Sequence, residues 1–368
     1  MKHLILAFVS ALIISGCSSS SDDVEEELLP ENLSVSVTPS TQVPGLVGIT
    51  FNADNTNFFT IDYGVGLGFE EINTQSTTFQ YTESGDYTIT VRAHKTEDMF
   101  IEESEQVTVT VSSSGPISDE GYSTPLSYSG YTLVWNDEFD GTQLSADWTH
   151  EIGTGNNGWG NNELQYYRSN NTSLGNGYLT IEARNENFSG SEYTSSRIIT
   201  EGQQFFQYGR IDIRAILPEG QGLWPALWML GSNFRTVGWP FCGEIDIMEM
   251  VGGSGRENNV FGTLHWDDNG TYACTCGQGD GFTLSSGTFA DEFHVFSIIW
   301  DETEIKWYVD DNLYKTIDIS PAGLDEFRAE FFFIFNIAVG GNLPGNPNSS
   351  TQFPQQMVVD YVRVFQEN

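Results

Sequence analysis

The sequence predicts an all-β protein in which a small β-sandwich is followed by a much larger antiparallel one. Short segments of alternating apolar and polar residues recur along the chain with turn residues between them, and helical periodicity is almost absent. The composition agrees, because 38 glycines and a 13% aromatic content are typical of turn-rich all-β proteins. A length of 368 residues is enough for two domains.

The N-terminus predicts export. Residues 4–14 form an apolar run too short to span a bilayer, and the sequence Ile-Ser-Gly-Cys that ends at Cys17 resembles the bacterial lipobox. We therefore expect residues 1–17 to be a lipoprotein signal peptide and Cys17 to carry the lipid; the alternative is an ordinary cleaved signal peptide. Residues 18–32 are expected to be an acidic disordered tether that resembles the surface-export signal of Bacteroidetes lipoproteins. Together these features predict an outer-membrane lipoprotein facing the cell surface.

Residues 33–111 are predicted to form the small β-sandwich. The predicted strands are 33–37, 48–51, 77–81, 87–92 and 107–111. Residues 79–91 resemble the last strands of PKD-type immunoglobulin-like modules, which implies an immunoglobulin-like sandwich. No carboxylate pair or row of aromatics indicates an active site here, so we interpret the module as a spacer, with accessory glycan binding as the alternative. Residues 112–129, rich in Ser, Gly and Pro, are expected to be a linker.

Residues 130–368 are predicted to form the large antiparallel sandwich. The predicted strands are 179–183, 208–215, 244–250, 295–300, 305–309, 331–338 and 357–365. A curved sheet of this size offers a groove for an extended polymer.

The charge excludes several classes of partner. Only 14 lysines and arginines stand against 51 acidic residues, a formal net charge of −37. Binding to nucleic acid, to sulfated polymers or to anionic lipid headgroups requires clustered cations. We therefore expect a neutral partner and no binding of nucleic acid. We also expect a monomer.

The most informative segment is 243–249, Gly-Glu-Ile-Asp-Ile-Met-Glu. Residues two apart on a strand share a face, so Glu244 and Asp246 project together. Regular alternation would bury Glu249 in the core, where a bare carboxylate is very costly. One β-bulge at residues 247–248 removes this conflict and turns Glu249 onto the acid face. The two glutamates would then bring their carboxyl oxygens to within about 5–6 Å, the spacing of retaining rather than inverting glycosidases.

Three neighbouring acids also suit a division of roles. One glutamate must stay ionised to attack a sugar carbon while the other keeps a proton for the leaving oxygen, and nearby like charges raise the pKa of the second group. Asp246, between them, is suited to hydrogen-bond the nucleophile and relay protonation. The alternative interpretations are a calcium cluster on a strand or a surface stripe of acids.

These residues lie within a longer resemblance to glycoside hydrolase family 16 in its laminarinase, or endo-β-1,3-glucanase, type. The blocks that carry it are 133–141, 155–167, 193–198, 208–210, 222–229, 239–250, 336–341 and 359–364. The resemblance implies a concanavalin-like β-jelly-roll sandwich and a retaining double displacement. It also implies that Glu244 is the nucleophile, that Glu249 is the acid/base and that Asp246 assists, with no cofactor required for catalysis.

The resemblance also implies residues that bind substrate and a structural metal. Substrate positions are Asn162, Arg197, Trp224, Trp228, Trp239, His265 and Asn336. Asn161 is an equally good match to Asn162, one of Trp224 and Trp228 is alternatively core, and His265 is alternatively structural. A structural Ca²⁺ ion is expected on Glu138, the carbonyl of Gly177, and Asp360.

Two features depart from the family pattern. The insertion around residues 273–277 has no family role and should border the product side of the cleft, and Leu343 stands where many relatives have Trp. A Cys274–Cys276 disulfide would close a very small loop, and Cys242 with either of them is the alternative. A zinc site is not expected, because there is no pair of Cys-x-x-Cys motifs.

The sequence therefore predicts endo-acting hydrolysis of laminarin-type β-1,3-glucan, a neutral polysaccharide. The alternatives are a family 16 enzyme on mixed-linkage β-1,3-1,4-glucan or agarose, and a non-catalytic surface lipoprotein that binds glycans. The scarcity of cations disfavours sulfated carrageenan. The three intact acids argue against the non-catalytic alternative.

Overall fold

The structure, a computed structural model, describes residues 28–40, 45–81, 85–109, 117–277 and 281–368. The predicted signal peptide, most of the predicted tether and Cys17 lie outside these residues. In the described part of the chain, no helix is both long and apolar enough to cross a membrane.

Strands dominate the described residues, and the sole α-helix among them, α1, has four residues (Phe234–Val237). Short helical turns of other types occur at Gly158–Asn162, Ser169–Asn171 and Asp325–Arg328. The strands are β1 (Glu31–Pro39), β2 (Leu46–Asp54), β3 (Phe58–Asp62), β4 (Glu70–Ile72), β5 (Ser76–Gln80), β6 (Gly85–His94), β7 (Phe100–Val109), β8 (Tyr131–Asp137), β9 (Thr149–His150), β10 (Gln165–Tyr167), β11 (Thr172–Gly175), β12 (Tyr178–Phe188), β13 (Ser191–Ser195), β14 (Arg197–Ile199), β15 (Gly209–Ile216), β16 (Leu223–Gly231), β17 (Glu244–Met250), β18 (Asn259–Asp267), β19 (Tyr272–Cys274), β20 (Phe282–Thr283), β21 (His294–Trp300), β22 (Glu304–Val309), β23 (Asn312–Asp318), β24 (Phe331–Val339) and β25 (Gln355–Glu367).

The chain divides into two compact units, of which the first contains two small sheets. Their strand orders are β1-β2-β5 and β4-β3-β6-β7. Alternate residues of β2 and β3 are buried, and the rings of Phe51 and Phe59, one from each sheet, lie 4.8 Å apart between centroids. The small sandwich is thus confirmed. Strands β3 and β4 were not predicted, because β4 is short and acidic and asparagines and glycines flank β3.

The second unit is a two-layer sandwich, which confirms the predicted fold class. Its ten-stranded sheet has the order β10-β13-β12-β25-β15-β21-β22-β23, with β11 beside β12 and β8 beside β25. Its eight-stranded sheet has the order β19-β18-β17-β16-β24-β14-β9, with β20 beside β18. All seven strands predicted for this domain are present within a few residues of the predicted bounds.

The hydrophobic core lies between these two sheets. Strand β15 contributes Ile211, Ile213 and Ala215 to it, while β24 contributes Phe333 and Phe335. The intervening residues of β15 are charged and face away from the core, because successive side chains of a strand point to opposite faces. Each sheet therefore has an outer face free to carry polar chemistry.

The segment 117–129 is ordered against the outer face of the ten-stranded sheet. The Arg214 guanidinium donates to the carbonyl of Tyr122 (2.7 Å), and the Arg363 guanidinium donates to that of Thr124 (2.6 Å). The Tyr128 hydroxyl donates to Asp212 (2.7 Å). This part of the predicted linker is consequently part of the second unit's packing. Its Ser/Gly/Pro-rich composition concealed the contacts, because the partners lie about 85 to 240 residues further along the chain.

Candidate active site

Strand β17 places the three acids on the outer face of the eight-stranded sheet. Pairing with β16 joins Asp246 to Trp228 and Glu249 to Ala226, so three steps on β17 match two steps on β16. The same extra residue interrupts the pairing with β18 between Asp246 and Glu249. The predicted bulge at residues 247–248 is thus confirmed, and both of these residues lie in the core.

Each glutamate is held by an indole. Trp239 Nε1 donates to Glu244 Oε2 (3.0 Å), and Trp224 Nε1 donates to Glu249 Oε1 (2.9 Å). Asp246 is 3% exposed, and Glu249 is 7% exposed. The two indole bonds keep both carboxyls oriented on the outer face of the sheet, where a substrate can reach them.

His265 of β18 is the cross-strand partner of Glu244, and its imidazole also faces Asp246. Its Nε2 lies 3.1 Å from Asp246 Oδ2 and 3.6 Å from Glu244 Oε1. Asp246 Oδ2 is buried and makes no hydrogen bond of good geometry in spite of this short distance. His265 is therefore a member of the acid site.

Burial raises the pKa of all three carboxyl groups. For Glu244 and Glu249 the neighbouring Asp246 adds to this effect, and the pKa of each is raised to about 8. The pKa of Asp246 is also raised to about 8, although Lys315 acts in the opposite direction. Because the first carboxyl to ionise raises the pKa of the others, the cluster retains protons near neutral pH. The site can thus offer an acid and a carboxylate at the same time.

A second group of predicted residues adjoins the acids on β14, β16 and β24. Arg197 pairs in register with Asn336, and its guanidinium lies 4.9 Å from the ring centroid of Trp228. Trp228 Nε1 donates to Asn336 Oδ1 (2.8 Å). Trp224 and Trp228 are both half-buried on this face, so neither is a core residue. Arg197 also pairs with Glu151, at 2.5 Å between Nε and Oε2.

Asn162 lies at the edge of this group. It is exposed, and its side-chain amide donates to Asn342 Oδ1 (2.9 Å). Asn161 instead donates to Glu163 (3.1 Å), so only Asn162 of the two keeps its side chain outside the buried network. Leu343 next to Asn342 is 46% exposed.

Several residues of the site were missed from the sequence. Below β17, Trp307 Nε1 donates to the carbonyl of Asp246 (2.8 Å), and the buried Lys315 acts on the Asp246 carboxyl. The Tyr167 hydroxyl accepts from Asn336 (3.1 Å). The Tyr272 hydroxyl lies 2.8 Å from His265 Nδ1. Of these residues, Lys315 alone had a sequence signal, because a lysine stands among the alternating residues 312–318.

The disulfide is the first of the two pairings considered from the sequence. Cys274 is bonded to Cys276, and Cys242 is free and buried. Cys242 packs in a small cluster with Ile199, Leu230 and Phe332, under α1. Burial raises the pKa of the Cys242 thiol to about 12, so it stays protonated and acts as an apolar side chain.

The residues predicted to bind calcium are held by arginines. Both oxygens of Glu138 accept hydrogen bonds from Arg363 (2.8 and 2.6 Å). Asp360 Oδ2 accepts from Arg214 (2.8 Å). A guanidinium contacts each carboxylate in this structure, and the calcium site stays a prediction.

The chain is similar to several known proteins, among them a beta-glucanase. Residues 158–363 match the family model described as glycosyl hydrolases family 16. The beta-glucanase of Rhodothermus marinus is 42% identical over 248 residues, which cover 64% of this chain and 85% of that protein. The clotting factor G alpha subunit of Tachypleus tridentatus is 39% identical over 240 residues, 64% of this chain. The match spans only 34% of that longer relative.

Solved structures agree with these sequence matches. The laminarinase catalytic domain of Thermotoga maritima is 45% identical with a TM-score of 0.60, covering 65% of this chain and 99% of that one. The laminarinase of Flavobacterium sp. UMI-01 is 40% identical with a TM-score of 0.57, covering 64% and 100%. The family match covers more than half of the chain and contains the whole of β17: the protein belongs to glycoside hydrolase family 16.

Proposed function

We propose that this protein hydrolyses β-1,3-glucosidic linkages inside laminarin-type β-glucan chains by a retaining double displacement. The observation that carries the proposal is the bulged strand β17, which presents Glu244, Asp246 and Glu249 on one face between tryptophans. The names of the similar proteins, beta-glucanase and laminarinase, support a β-glucan as the substrate.

In the first step, a carboxylate oxygen of Glu244 attacks the anomeric carbon. The Glu249 carboxyl gives its proton to the leaving glycosidic oxygen, so the linkage breaks as the glycosyl–Glu244 ester forms. In the second step, the Glu249 carboxylate takes a proton from water, whose oxygen attacks the same carbon and releases Glu244.

The surroundings of the two glutamates support this assignment. Glu249 is buried, and its raised pKa preserves the proton that the first step needs. The pKa of Glu244 is raised to about 8 as well, so geometry separates the two roles: Glu244 is less buried, and its Oε1 lies 3.6 Å from His265 Nε2. Asp246 lies between them and can hydrogen-bond the nucleophile when protonated.

The character of the cleft supports a neutral glucan. Trp224, Trp228 and Trp239 present indoles on which the C–H faces of sugars can stack. The single arginine among the predicted substrate residues, Arg197, is already paired with Glu151, which leaves little attraction for a sulfated polymer.

The test is a digestion of laminarin, mixed-linkage β-1,3-1,4-glucan and agarose by the purified protein. Short oligosaccharides should appear from laminarin, and Glu244→Ser should stop turnover while leaving laminarin binding intact. The matched control is Glu302→Ser, which removes an exposed glutamate in the turn between β21 and β22. Intact laminarin beside a cut mixed-linkage glucan or agarose would favour the alternative specificities. Binding without cleavage of any of the three would favour a glycan-capture protein.

The stereochemistry is tested separately by proton NMR of fresh laminarin digests. The β-anomer should appear first and then mutarotate, because two inversions restore the configuration. An α-anomer that appears first would rule out the double displacement.

We further propose a lipid anchor at Cys17 and a position on the cell surface. The lipobox-like sequence and the acidic residues after it support this, and both lie outside the described residues. Cys17→Ala should move the protein out of the membrane fraction. Equal membrane association of both forms would contradict the anchor.

A further inference from the structure

The insertion that has no family role forms a hairpin beside the acids. Strands β18 and β19 pair in antiparallel register, with His265 opposite Cys274 and Asp267 opposite Tyr272. On its other side His265 is opposite Glu244 of β17. One cross-strand row therefore runs from the proposed nucleophile through His265 to the Cys274–Cys276 disulfide.

Tyr272 of this hairpin contacts His265 through both its hydroxyl and its ring. The hydroxyl lies 2.8 Å from His265 Nδ1, and the two rings stack at 14° with centroids 5.9 Å apart. On its other side the ring lies 5.1 Å from that of Trp239, which holds Glu244. Tyr272 is nevertheless 48% exposed, so its position depends on these contacts and on the hairpin.

The surroundings of the imidazole decide which nitrogen carries the proton. Nε2 faces two carboxyl oxygens, Asp246 Oδ2 at 3.1 Å and Glu244 Oε1 at 3.6 Å, and when Glu244 is ionised for its attack, neutral His265 is best placed with its proton on Nε2. Nδ1 is then an acceptor, and the Tyr272 hydroxyl must donate to it. Burial and, after it, the charges of the three acids raise the pKa of Tyr272, so the hydroxyl keeps the proton that it donates.

We propose that Tyr272 is a positioning residue, whose hydroxyl holds His265 with its proton on Nε2 and its Nε2 edge toward Asp246 and Glu244. The effect on the reaction rests on the proposed function. Tyr272 touches the reacting groups only through His265, which in turn faces the nucleophile and the assisting acid. The disulfide closes the strand end that carries Tyr272, and Cys276 Sγ lies 3.8 Å from the Tyr272 hydroxyl.

The kinetic test is Tyr272→Phe, which removes the hydroxyl and keeps the ring. We expect kcat on laminarin to fall about threefold to tenfold, the usual weight of one hydrogen bond, with KM changed less than twofold. In a His265→Ala background the same substitution should change kcat less than 1.5-fold, because its target is gone. The matched control is Tyr131→Phe, which removes a hydroxyl on β8 in the ten-stranded sheet. An unchanged kcat, or an equal loss in both backgrounds, would overturn the proposal.

A spectroscopic test needs no substrate. Ring-nitrogen NMR of ¹⁵N-histidine-labelled protein, assigned with His265→Ala, should show His265 protonated on Nε2 in the wild type and as a mixture of tautomers in Tyr272→Phe. Identical His265 signals in both proteins would overturn the role of the hydroxyl, whether or not laminarin is cleaved. Conversely, the expected signals in a protein that cuts no β-glucan would refute only the proposed function.

Discussion

Strand β17 and the outer face of the ten-stranded sheet handle buried charge in opposite ways. On the ten-stranded sheet, arginines meet carboxylates directly: Arg210 lies 2.7 Å from Asp212, and Arg214 lies 2.8 Å from Asp360. On the eight-stranded sheet, three acids share one short strand. Among the described residues, no lysine or arginine forms an ion pair with any of those three.

The difference separates structural carboxylates from reactive ones. A guanidinium partner balances the charge of a carboxylate in place, and the Arg214–Asp360 pair joins the neighbouring strands β15 and β25. A buried carboxyl without such a partner keeps its proton to higher pH and is free to transfer it. Which carboxyl groups have an arginine partner therefore decides which of them can transfer protons.

Neutralising an acid on the eight-stranded face should have the largest effect. Glu249→Gln should lower kcat on laminarin by about 10²- to 10⁴-fold, because it removes the proton donor. The melting temperature at pH 8 should stay equal or rise, since a buried group that resists ionisation is gone. Calorimetry and initial rates check this, with Glu302→Gln as the exposed control. A lower melting temperature would contradict the contrast between the faces.

Neutralising an acid on the ten-stranded face should do the reverse. Asp212 is fully buried and accepts hydrogen bonds from Arg210, Ser297 and Tyr128. Asp212→Asn should destabilise the protein by about 1.5–3 kcal/mol in urea unfolding, because the buried Arg210 guanidinium loses one charged acceptor and keeps only Asp311 as its counter-charge. The kcat of the folded fraction at 25 °C should be unchanged. An unaltered unfolding midpoint would show that the pair is dispensable.

The pH dependence of stability should sharpen the same contrast. The pKa of Glu249 rises from 4.5 to about 8 on folding, so the folded protein binds more protons than the unfolded chain between these values. Stability from this group is therefore complete below pH 4.5 and is lost as the pH rises through 8. The melting temperature should fall more steeply from pH 5 to 8 in the wild type than in Glu249→Gln. If the melting temperatures of the wild type and Glu249→Gln fall equally steeply with pH, the pKa of Glu249 is not the raised one.

The smallest effect on kcat should come from a change beside Trp307, which packs below β17. A methyl group on Gly262 would lie 2.2 Å from the ring of Trp307, whose indole donates to the Asp246 carbonyl. Gly262→Ala should destabilise by about 1–3 kcal/mol through overpacking. It should also lower kcat a few-fold, because Asp246 shifts with its support. Gly270→Ala tests a glycine with open space around it, although its positive φ adds backbone strain. If Gly262→Ala lowers stability but leaves kcat normal, then the packing of Trp307 does not position the Asp246 carboxyl.

Features that depend on neighbouring residues alone could be predicted from the sequence. The bulge follows from the sequence of β17 alone, since a regular strand would point the Glu249 carboxylate into the apolar core, which is too costly. Contacts set by strand register were out of reach. The pairing of Arg197 with Asn336 joins distant segments, and the approach of Tyr272 to His265 depends on the register of the β18–β19 hairpin. The arginines on Glu138 and Asp360 were missed for the same reason, because a list of likely oxygen ligands does not reveal a neighbouring cation.

The ordered segment 117–129 has a mechanical consequence. A pull on the chain from its N-terminal side enters the second unit here, where hydrogen bonds run to Arg214, Tyr361 and Arg363 on β15 and β25. These strands are neighbours in the middle of the ten-stranded sheet. A force applied there thus enters through the sheet that lacks the three acids.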